Sequence, residues 1–365
     1  MKYYLIAGER SGDLHASNLM KALIKKDSNA EFRYFGGEQM QAVGGELVVH
    51  YRELAFMGFW EVLTNLGTIS KFLKQCKKDI DSFQPDAIIL VDYAGFNLKI
   101  AKYAKSDGYK VFYYISPKVW AWNQKRALKI IDRIDHMFSI LPFEVDFYKK
   151  FGWEDVTYVG NPVVEAVKQH IVDDSFISKN NIDKDSKLIA VLPGSRMQEV
   201  KKILPVVTEV IKQHPEYQFG IAAVKNLPES VYTDVASLGN TTLIIEDTYN
   251  LLARADAAIV TSGTATLETA LWDVPQVVVY KSSWLSYRIA KMLVKVKWIS
   301  LVNLIAEDGV VKELIQDNCN ETNISEELKK IVSKGIDYGK MQSVLGDKEA
   351  SKLAVNNVLK LLLEK

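Results

Sequence analysis

The feature that most constrains the fold is an alternation of short apolar runs with longer stretches of helical periodicity. In the first half of the chain we predict strands at residues 3–7, 32–36, 87–92, 111–115, 137–141 and 157–159. Strands that are apolar along most of their length are covered on both faces, as in a parallel sheet with helices on each side. Residues 14–26 and 69–83 repeat apolar positions with a period near 3.6 and carry lysines on the outer face. The pattern predicts a doubly wound α/β fold.

The same alternation occurs a second time. The first series ends at Gly160-Asn161-Pro162, and a polar stretch at 173–187, rich in Asp, Lys, Asn and Ser, follows it. Further strands are predicted at 188–192, 218–224, 242–245, 257–261 and 276–280. A chain of 365 residues also exceeds the usual size of one core. We therefore predict two Rossmann-like domains that face a cleft, at 1–172 and 173–345, and a C-terminal helix at 346–365 that packs back on the first domain.

Charge and targeting signals exclude several classes of protein. The 46 Lys and Arg residues balance 45 Asp and Glu residues, so a general attraction to nucleic acid has no support and no nucleic-acid partner is expected. The N-terminal apolar run is too short for a signal peptide, and no run approaches the ~18–20 apolar residues of a membrane span. We expect a cytoplasmic protein in which Cys76 and Cys319 are reduced thiols.

Two loops of the first half carry candidate site residues, because ligands of open parallel sheets bind at the carboxyl ends of the strands. The first loop contains Gly12, Asp13 and His15. Its glycines would let a ligand approach the next helix, but Asp13 could equally cap a helix and His15 could be an ordinary core or surface histidine. The second loop places Asp92 directly after an apolar run. That carboxylate could take a proton from an attacking sugar hydroxyl, or it could cap a helix.

Two loops of the second half are suited to a diphosphate. The first of them holds Gly194, Ser195 and Arg196. Small residues expose backbone N–H groups at a helix start and a guanidinium can fork onto phosphate oxygens, although a surface arginine needs no ligand. The other loop combines small residues, hydroxyls and a carboxylate: Ser262, Gly263, Thr264, Ala265 and Glu268. Glu268 could accept hydrogen bonds from ribose hydroxyls, and a capping role for the Ser/Thr cluster is the alternative.

Neither a metal nor a cofactor is expected. The glycine-rich turns match neither the dinucleotide fingerprint nor the P-loop, and no cysteine and histidine spacing fits zinc. The D-x-D pattern occurs at Asp79-Ile80-Asp81 and at Asp183-Lys184-Asp185. Both copies lie in lysine-rich segments, and we interpret them as surface charge.

Two segments are unusually apolar and aromatic. Residues 54–63 include Met57, Phe59 and Trp60, and residues 284–304 mix Trp, Tyr, Leu and Val with one arginine and three lysines. Such mixtures suit the headgroup boundary of an anionic bilayer. Buried helices whose lysines reach out to solvent are the alternative.

Taken together and in order, these segments resemble the lipid-A-disaccharide synthase family, glycosyltransferases of the two-Rossmann-domain (GT-B) type. The resemblance covers almost the whole chain and rests on AGERSGD (7–13), MGFWEVL (57–63), SPKVWAWNQKR (116–126), LPFE (141–144), LPGSR (192–196), SGTATLE (262–268) and SLVNL (300–304). The run with Trp120 and Trp122 is the most specific. Two departures occur: Gly95 replaces a second acidic residue after Asp92, and Asn161 replaces a histidine between Gly160 and Pro162.

The resemblance implies an inverting β-1,6 transfer from UDP-2,3-diacylglucosamine to 2,3-diacylglucosamine 1-phosphate, which yields the lipid A disaccharide phosphate and UDP. It implies that Asp92 is the general-base candidate, that Arg196 lies near the diphosphate, and that Asn303 serves the donor site. We expect the acceptor and its acyl chains to meet the loop with Gly12, Asp13 and His15, the tryptophans Trp120 and Trp122, and the apolar segment from Met57 onward. The protein would sit peripherally on the cytoplasmic face of the inner membrane, and a homodimer is allowed.

Three alternatives remain open. Another GT-B enzyme with a UDP-N-acetylglucosamine-type donor, or a UDP-sugar epimerase, would have a similar donor site. A non-catalytic lipid-binding or sugar-binding protein could share the architecture. Glu9 or Asp13 could act as the base in place of Asp92.

Overall fold

The computed structural model describes residues 1–54, 66–283, 287, 288, 291, 292 and 296–364. These residues form two compact units. The first unit comprises Met1–Pro162 and Asp347–Lys365, and the second comprises Val163–Gly346. The predicted boundary at 172/173 lies ten residues beyond the observed division after Pro162 (172 − 162 = 10).

The first unit is built on a parallel sheet. Its strands are β1 (Lys2–Ala7), β2 (Glu31–Gly36), β3 (Glu46–His50), β4 (Ala87–Val91), β5 (Val111–Tyr114), β6 (His136–Ser139) and β7 (Val156–Tyr158). They pair in the order β3-β2-β1-β4-β5-β6-β7. The direction of strand addition reverses between β1 and β4, where Ala7 pairs with Val91. The loops that follow these two strands therefore flank the topological switch point, where ligands of such sheets bind.

Helices connect these strands. They are α1 (Arg10–Lys26), α2 (Glu38–Val43), α3 (Tyr51–Leu54), α4 (Leu66–Phe83), α5 (Ala94–Ser106), α6 (Val119–Trp122), α7 (Ala127–Ile131) and α8 (Phe143–Lys149). Helix α1 buries Ala16, Leu19 and Leu23, which recur at the spacing of one helical face. That face covers β1, whose Leu5 lies in the same apolar cluster.

The second unit repeats the topology. Its strands are β8 (Leu188–Leu192), β9 (Gln218–Ala223), β10 (Thr241–Ile245), β11 (Ala257–Thr261), β12 (Gln276–Tyr280) and β13 (Lys312–Ile315). They pair in parallel in the order β10-β9-β8-β11-β12-β13, so the switch point lies between β8 and β11. Along β8, Ile189 and Val191 enter one apolar cluster and Ala190 enters another. The central strand is therefore buried on both faces, as its apolar sequence predicts.

The remaining helices complete the two units. In the second unit they are α9 (Pro162–Gln169), α10 (Phe176–Lys179), α11 (Met197–Gln213), α12 (Thr233–Ala236), α13 (Thr248–Leu252), α14 (Thr264–Leu271), α15 (Leu301–Ala306), α16 (Glu321–Lys334) and α17 (Gly339–Leu345). The last helix, α18 (Ala350–Leu363), belongs to the first unit. Its Ala354 and Val358 share an apolar cluster with Leu19 of α1.

The predicted fold class of two parallel α/β sheets is confirmed. Each predicted strand overlaps an observed one, with ends that differ by no more than two residues. The prediction missed β3 and β13, which are both edge strands. None of the helices in the described ranges is both long and apolar enough to cross a bilayer.

Candidate active site

Asp92 lies at the switch point of the first unit in a strained backbone. Asp92 and Tyr93 both adopt left-handed conformations, with φ of 46° and 50°. Such a conformation costs a non-glycine residue on the order of 1–3 kcal/mol. The Asp92 amide donates to the carbonyl of Tyr114 (3.0 Å). The Asp92 carbonyl accepts from Asn97 Nδ2 (2.8 Å) and from the Tyr113 hydroxyl. Strain that the surroundings hold in this way is typical of functional sites.

The electrostatic surroundings of Asp92 fit a proton acceptor. Burial of the side chain raises the pKa of its carboxyl, and the negative charge of Glu9 raises that pKa further. The ammonium of Lys118 opposes both effects and lowers it. A half-buried carboxylate whose pKa is raised binds a proton more strongly than a solvated one, which general-base catalysis requires.

The loop between β1 and α1 contributes close packing. A β-carbon on Gly8 would lie 2.2 Å from the ring of Tyr93. Gly12 is buried, and a β-carbon there would meet the Ala7 β-carbon at 3.3 Å. Gly12 therefore lets α1 approach β1, and its contact with the acceptor stays a prediction.

Asp13 also belongs to the framework. Its buried carboxylate accepts hydrogen bonds from the backbone N–H groups at the start of α2, those of Gly37 (2.7 Å), Gln39 (2.9 Å) and Met40 (3.2 Å). Asp13 thus caps a helix other than its own, and its acceptor contact and its role as an alternative base stay predictions. The imidazole of His15, unlike the Asp13 carboxylate, is uncharged, because burial lowers its pKa to about 4. Its Nδ1 has no hydrogen-bond partner among the described residues.

The two tryptophans after β5 have different environments. Trp120 is buried, with its Nε1 donating to Glu144 at 2.9 Å and its ring edge-on to Phe143 at 4.9 Å. Trp122 is 44% exposed, and the guanidinium of Arg126 lies 5.3 Å from its ring centre. Of this predicted pair Trp122 is the more exposed ring, and contact of either tryptophan with the acceptor stays a prediction.

Both predicted apolar segments lie partly outside the described residues. Met57, Phe59 and Trp60 fall in the range 55–65 and are not described. In the second segment the described part includes Met292, which is exposed, and Trp298, whose ring centre lies 4.2 Å from Lys297 Nζ.

At the switch point of the second unit, Arg196 is free to meet an anion. Gly194 has φ of 107°, and a β-carbon there would come within 2.6 Å of Glu199 Oε2. The same carboxylate accepts the backbone N–H of Arg196 at 3.4 Å. The Arg196 side chain is 82% exposed and meets Glu199 Oε1 at 3.5 Å. With exposed Ser195 it stands at the start of the 17-residue α11, whose helix dipole favours negative charge.

The loop between β11 and α14 forms the other edge of this switch point. The Ser262 hydroxyl donates to the Ile299 carbonyl at 2.9 Å, so Ser262 fixes a neighbouring segment. The Thr266 hydroxyl donates to the Gly263 carbonyl at 2.8 Å. Gly263 and Thr264 are exposed and Ala265 is partly exposed, so these small residues leave open space at the helix start.

Glu268 lies half-buried on α14. Burial raises the pKa of its carboxyl, and a hydrogen bond from the Tyr249 hydroxyl (3.1 Å) opposes that shift. The ring of Tyr249 packs edge-on against His170 (5.4 Å) and Trp272 (6.2 Å). Within the described ranges the Glu268 carboxylate accepts one hydrogen bond, from Tyr249, so its second oxygen can accept a hydroxyl group from a ligand.

Asn303 is held within the framework. It is 1% exposed, and its Nδ2 donates to the Val311 carbonyl and to Glu313 Oε1, both at 2.9 Å. Its Oδ1 accepts the Val311 N–H at 2.9 Å. Both donors and one acceptor are therefore satisfied within the second unit, and contact of Asn303 with the donor stays a prediction.

The interpretation of both D-x-D patterns as surface charge is wrong for Asp79. Asp79 of the first D-x-D pattern is partly buried, forms an ion pair with Arg33 (2.8 Å) and accepts the Tyr4 hydroxyl (2.8 Å). Within the described ranges no three His, Cys, Asp or Glu side chains are grouped as metal ligands.

Two cavities lie away from both switch points. One of about 590 Å³ is lined by the amino ends of β4 and β5, with Gln84 and Tyr109 among its residues. The other, about 340 Å³, is bounded by α11 and α12, with Pro205 and Val235 among its residues. Since ligands of parallel sheets bind at the carboxyl ends, we place the candidate site at the loops.

Sequence reasoning missed several residues of the site. Tyr93 and Tyr113 hold the backbone of Asp92, Glu144 binds Trp120, and Tyr249 binds Glu268. Glu144 stands in the LPFE segment that carried the family resemblance, which was the one available signal. No sequence signal pointed to the tyrosines, because apolar strands and helices commonly contain tyrosine.

Two parallel sheets of the same doubly wound topology define a class, the two-domain α/β fold of the GT-B type. The UDP-GlcNAc 2-epimerase from Neisseria meningitidis bound to UDP-GlcNAc superimposes with a TM-score of 0.70 at 15% identity, over 99% of this chain and 100% of that one. The calicheamicin glycosyltransferase gives 0.62 at 14% identity, over 99% and 98%. At these identities the likeness shows the fold alone.

Sequence comparison identifies the family. The family model described as lipid-A-disaccharide synthetase matches residues 3–360. The chain is 38% identical over 330 residues to the lipid-A-disaccharide synthase of Geobacter metallireducens, covering 89% of this chain and 86% of that one. It is 36% identical over 371 residues to that of Myxococcus xanthus, covering 98% and 97%. The chain belongs to the lipid-A-disaccharide synthase family and is a glycosyltransferase of lipid A disaccharide formation. The predicted family and enzyme class are confirmed, as is the formation of the lipid A disaccharide.

Proposed function

We propose that the protein transfers the diacylglucosaminyl group of UDP-2,3-diacylglucosamine to the 6-hydroxyl of 2,3-diacylglucosamine 1-phosphate, with Asp92 as the general base. The observation that carries this proposal is the half-buried carboxylate of Asp92, held in a strained backbone at the switch point of the first unit. Family membership supports the substrates. The residue roles rest on the geometry of each unit.

The proposed step is a single displacement. The acceptor hydroxyl oxygen forms a bond to the donor's anomeric carbon as the bond from that carbon to the diphosphate oxygen breaks. Asp92 takes the hydroxyl proton, and UDP leaves with the bonding electron pair. Attack opposite the leaving group inverts the anomeric carbon and gives the β-1,6 linkage. A positioned base contributes about 10²–10⁴-fold to such a step.

The second unit is proposed to hold the donor. Arg196 and the start of α11 would bind the diphosphate, where negative charge grows as the bond breaks. Because the Arg196 side chain is exposed, it can reorient onto phosphate oxygens at little cost. The open helix start at Gly263, Thr264 and Ala265 would accommodate the same group. Glu268, fixed by Tyr249, would accept the ribose hydroxyls.

The first unit is proposed to hold the acceptor. Exposed Trp122, with Arg126 over its ring, combines an apolar face and a cation suited to a phosphorylated, acylated sugar. Met57, Phe59 and Trp60 are proposed to receive acyl chains. We propose a peripheral association with the cytoplasmic face of the inner membrane, because both substrates carry acyl chains. The homodimer that the resemblance allows is not part of this proposal.

The test compares the purified protein with Asp92→Asn and measures UDP and disaccharide from both substrates. Asparagine is the matched substitution, because it keeps the size of aspartate and tolerates the left-handed backbone. We expect acceptor-dependent UDP release by the wild type and a loss of about 10²–10⁴-fold in kcat for Asp92→Asn. Asp107→Asn is the control. Asp107 lies before the amino end of β5, opposite to the carboxyl ends of the strands where Asp92 lies, and its substitution should retain wild-type turnover. UDP release without acceptor, or turnover by Asp92→Asn within threefold of the wild type, would contradict the proposal.

A further inference from the structure

Glu144 is a buried carboxyl group that the proposed step does not use. It lies on α8, is 1% exposed, and accepts hydrogen bonds from Trp120 Nε1 (2.9 Å) and from the Ser139 hydroxyl. Burial raises its pKa to about 7, with the hydrogen bonds and Lys118 opposing the shift. A buried carboxyl is costly to keep unless its bonds serve the fold or the site.

Its partner Trp120 lies in the segment 116–122 that follows β5. Three contacts hold this segment to α8: Trp120 with Glu144, Trp120 edge-on with Phe143, and the Ser116 hydroxyl with the Tyr148 hydroxyl at 3.0 Å. Glu144 supplies the one carboxyl among them. Side chains of a single helix therefore hold the segment, and we call these three contacts the clamp.

This segment follows β5, whose last residue, Tyr114, bonds to Asp92. Strands β4 and β5 are neighbours, and the Asp92 amide bonds to the carbonyl of Tyr114, two residues before Ser116. Lys118 and Trp122 are exposed on the segment. Lys118 acts electrostatically on both Asp92 and Glu144. A shift of the segment would therefore move a cation away from the proposed base.

We propose that Glu144 is a positioning residue of the transferase site, which through the indole of Trp120 fixes the segment 116–122 and hence the position of Lys118 relative to Asp92 and the placement of Trp122. The inference rests on the proposed function of Asp92. Glu144 itself touches no substrate in this scheme.

The hydrogen bonds suggest how the clamp works in both protonation states. Ser139 Oγ lies 2.8 Å from the Leu141 carbonyl and also bonds to Glu144. Ser139 has a single hydroxyl hydrogen. An ionised Glu144 accepts that hydrogen, whereas a protonated Glu144 donates to Ser139, which then donates to Leu141. Trp120 donates to Glu144 in either state. The titratable groups that face Glu144 are Lys118 and Tyr148.

Three variants test the proposal. Glu144→Gln keeps an acceptor for Trp120 and a donor for Ser139, so it mimics the protonated form. Trp120→Phe removes only the indole N–H and keeps the aromatic contact. Glu144→Leu removes both hydrogen bonds. We expect Trp120→Phe and Glu144→Leu to raise the acceptor KM about tenfold with a smaller change in kcat, and Glu144→Gln to stay within threefold of the wild type.

The pH profile separates positioning from a general loss of structure. Lys118 lowers the pKa of Asp92, so displacement of Lys118 should move the acidic midpoint of kcat/KM to higher pH. Trp120→Phe and Lys118→Met should both show this shift, and Glu144→Gln should not. An unchanged acceptor KM and an unchanged acidic midpoint in folded Trp120→Phe would overturn the proposal, even if Glu144→Leu fails to fold.

A measurement without turnover keeps this proposal distinct from that for Asp92. The indole N–H signal of Trp120, assigned by its loss in Trp120→Phe, should titrate near neutral pH in the intact protein and cease to titrate in Glu144→Gln. Asp92→Asn could remain active while the Trp120 indole titrates and Trp120→Phe raises the acceptor KM. That result would show that the assignment of Asp92 as the base is wrong and would still support the positioning role of Glu144. An indole signal that titrates in the same way in the wild type and in Glu144→Gln would overturn the positioning role of Glu144, whether or not Asp92→Asn is active.

Discussion

The ring of Tyr93 lies against Gly8 so closely that a β-carbon on the glycine would come within 2.2 Å of it. Tyr93 follows Asp92 and shares its left-handed backbone. Its ring also contacts that of Phe96 at 5.9 Å, and its hydroxyl donates to the Leu54 carbonyl at 3.4 Å. The loops after β1 and β4 therefore pack against each other, and the position of Asp92 depends on a glycine 84 residues earlier (92 − 8 = 84).

Gly8→Ala should impair turnover without contacting substrate. The new β-carbon must displace the Tyr93 ring, and overpacking of this kind costs about 1–3 kcal/mol. We expect kcat to fall about tenfold or more because Asp92 moves with Tyr93. Gly95→Ala is the control, since a β-carbon there meets nothing within 4 Å. Equal turnover by the two variants at a temperature where both are folded would show that Asp92 does not depend on this packing.

The pH dependence of kcat/KM should report the raised pKa of Asp92. The base must be ionised to accept a proton, so activity should fall as pH drops through its folded pKa, with a midpoint above the ordinary value of 3.8. A raised carboxyl pKa also means that folding disfavours the ionised form at neutral pH. Asp92→Asn should accordingly melt at or above the wild-type temperature at pH 7.5. An acidic midpoint at or below 3.8 would contradict this assignment.

Glu144 should make stability depend on pH. Its pKa is raised from 4.5 to about 7, so between these values the folded state binds more protons than the unfolded state. The free energy of unfolding should therefore decline as pH rises from about 4.5 to 7, and level off above 7. The shift corresponds to on the order of 3 kcal/mol. Glu144→Gln should lack this decline, as melts from pH 5 to 8 can show, and parallel profiles for the two proteins would contradict the expectation.

Arg196→Ala should weaken the donor site and leave the fold intact. The side chain is 82% exposed, and its contact with Glu199 at 3.5 Å contributes little to stability. We expect kcat/KM for the donor to fall about 100-fold, because the guanidinium is proposed to meet charge that grows on the diphosphate. Lys212→Ala is matched, since it removes a cation with an i,i−3 partner, Glu209, at the other end of α11. A similar small loss in both variants would argue against a role for Arg196.

The sheets could be predicted from the sequence because their central strands are buried on both faces. In β8 and β11 every residue is buried, and the apolar run alone marks the strand. The edge strands were missed for the opposite reason. β3 follows Gly44-Gly45, which resembles a turn, and β13 begins with the exposed Lys312. The loops that carry the candidate site could be named from the sequence because topology alone places them at the switch points.

The roles of individual polar side chains could not be predicted in the same way. Asp13 and Trp120 are each buried against a partner 24 residues away in the chain. No local pattern encodes such a partner, because the tertiary fold decides which polar groups meet. Arg196 is exposed, its ion pair is with Glu199 in the same turn, and its anion contact is predicted from its position at a helix start alone.

Asn303→Ala should separate a framework role from contact with the donor. The substitution removes three buried hydrogen bonds and deprives Glu313, which also accepts the N–H groups of Ile299 and Ser300, of one donor. Loss of buried partners of this kind costs about 1–3 kcal/mol for each group left unsatisfied. The melting temperature should therefore fall by about 5–10 °C. At a temperature where both proteins are folded, the donor KM should stay within a few-fold of the wild type, because the amide holds backbone and not ligand. Asn303→Asp should melt lower still, since a second carboxylate would face Glu313. The opposite result is an Asn303→Ala protein that melts like the wild type but loses donor affinity 100-fold. That result would support direct contact between Asn303 and the donor.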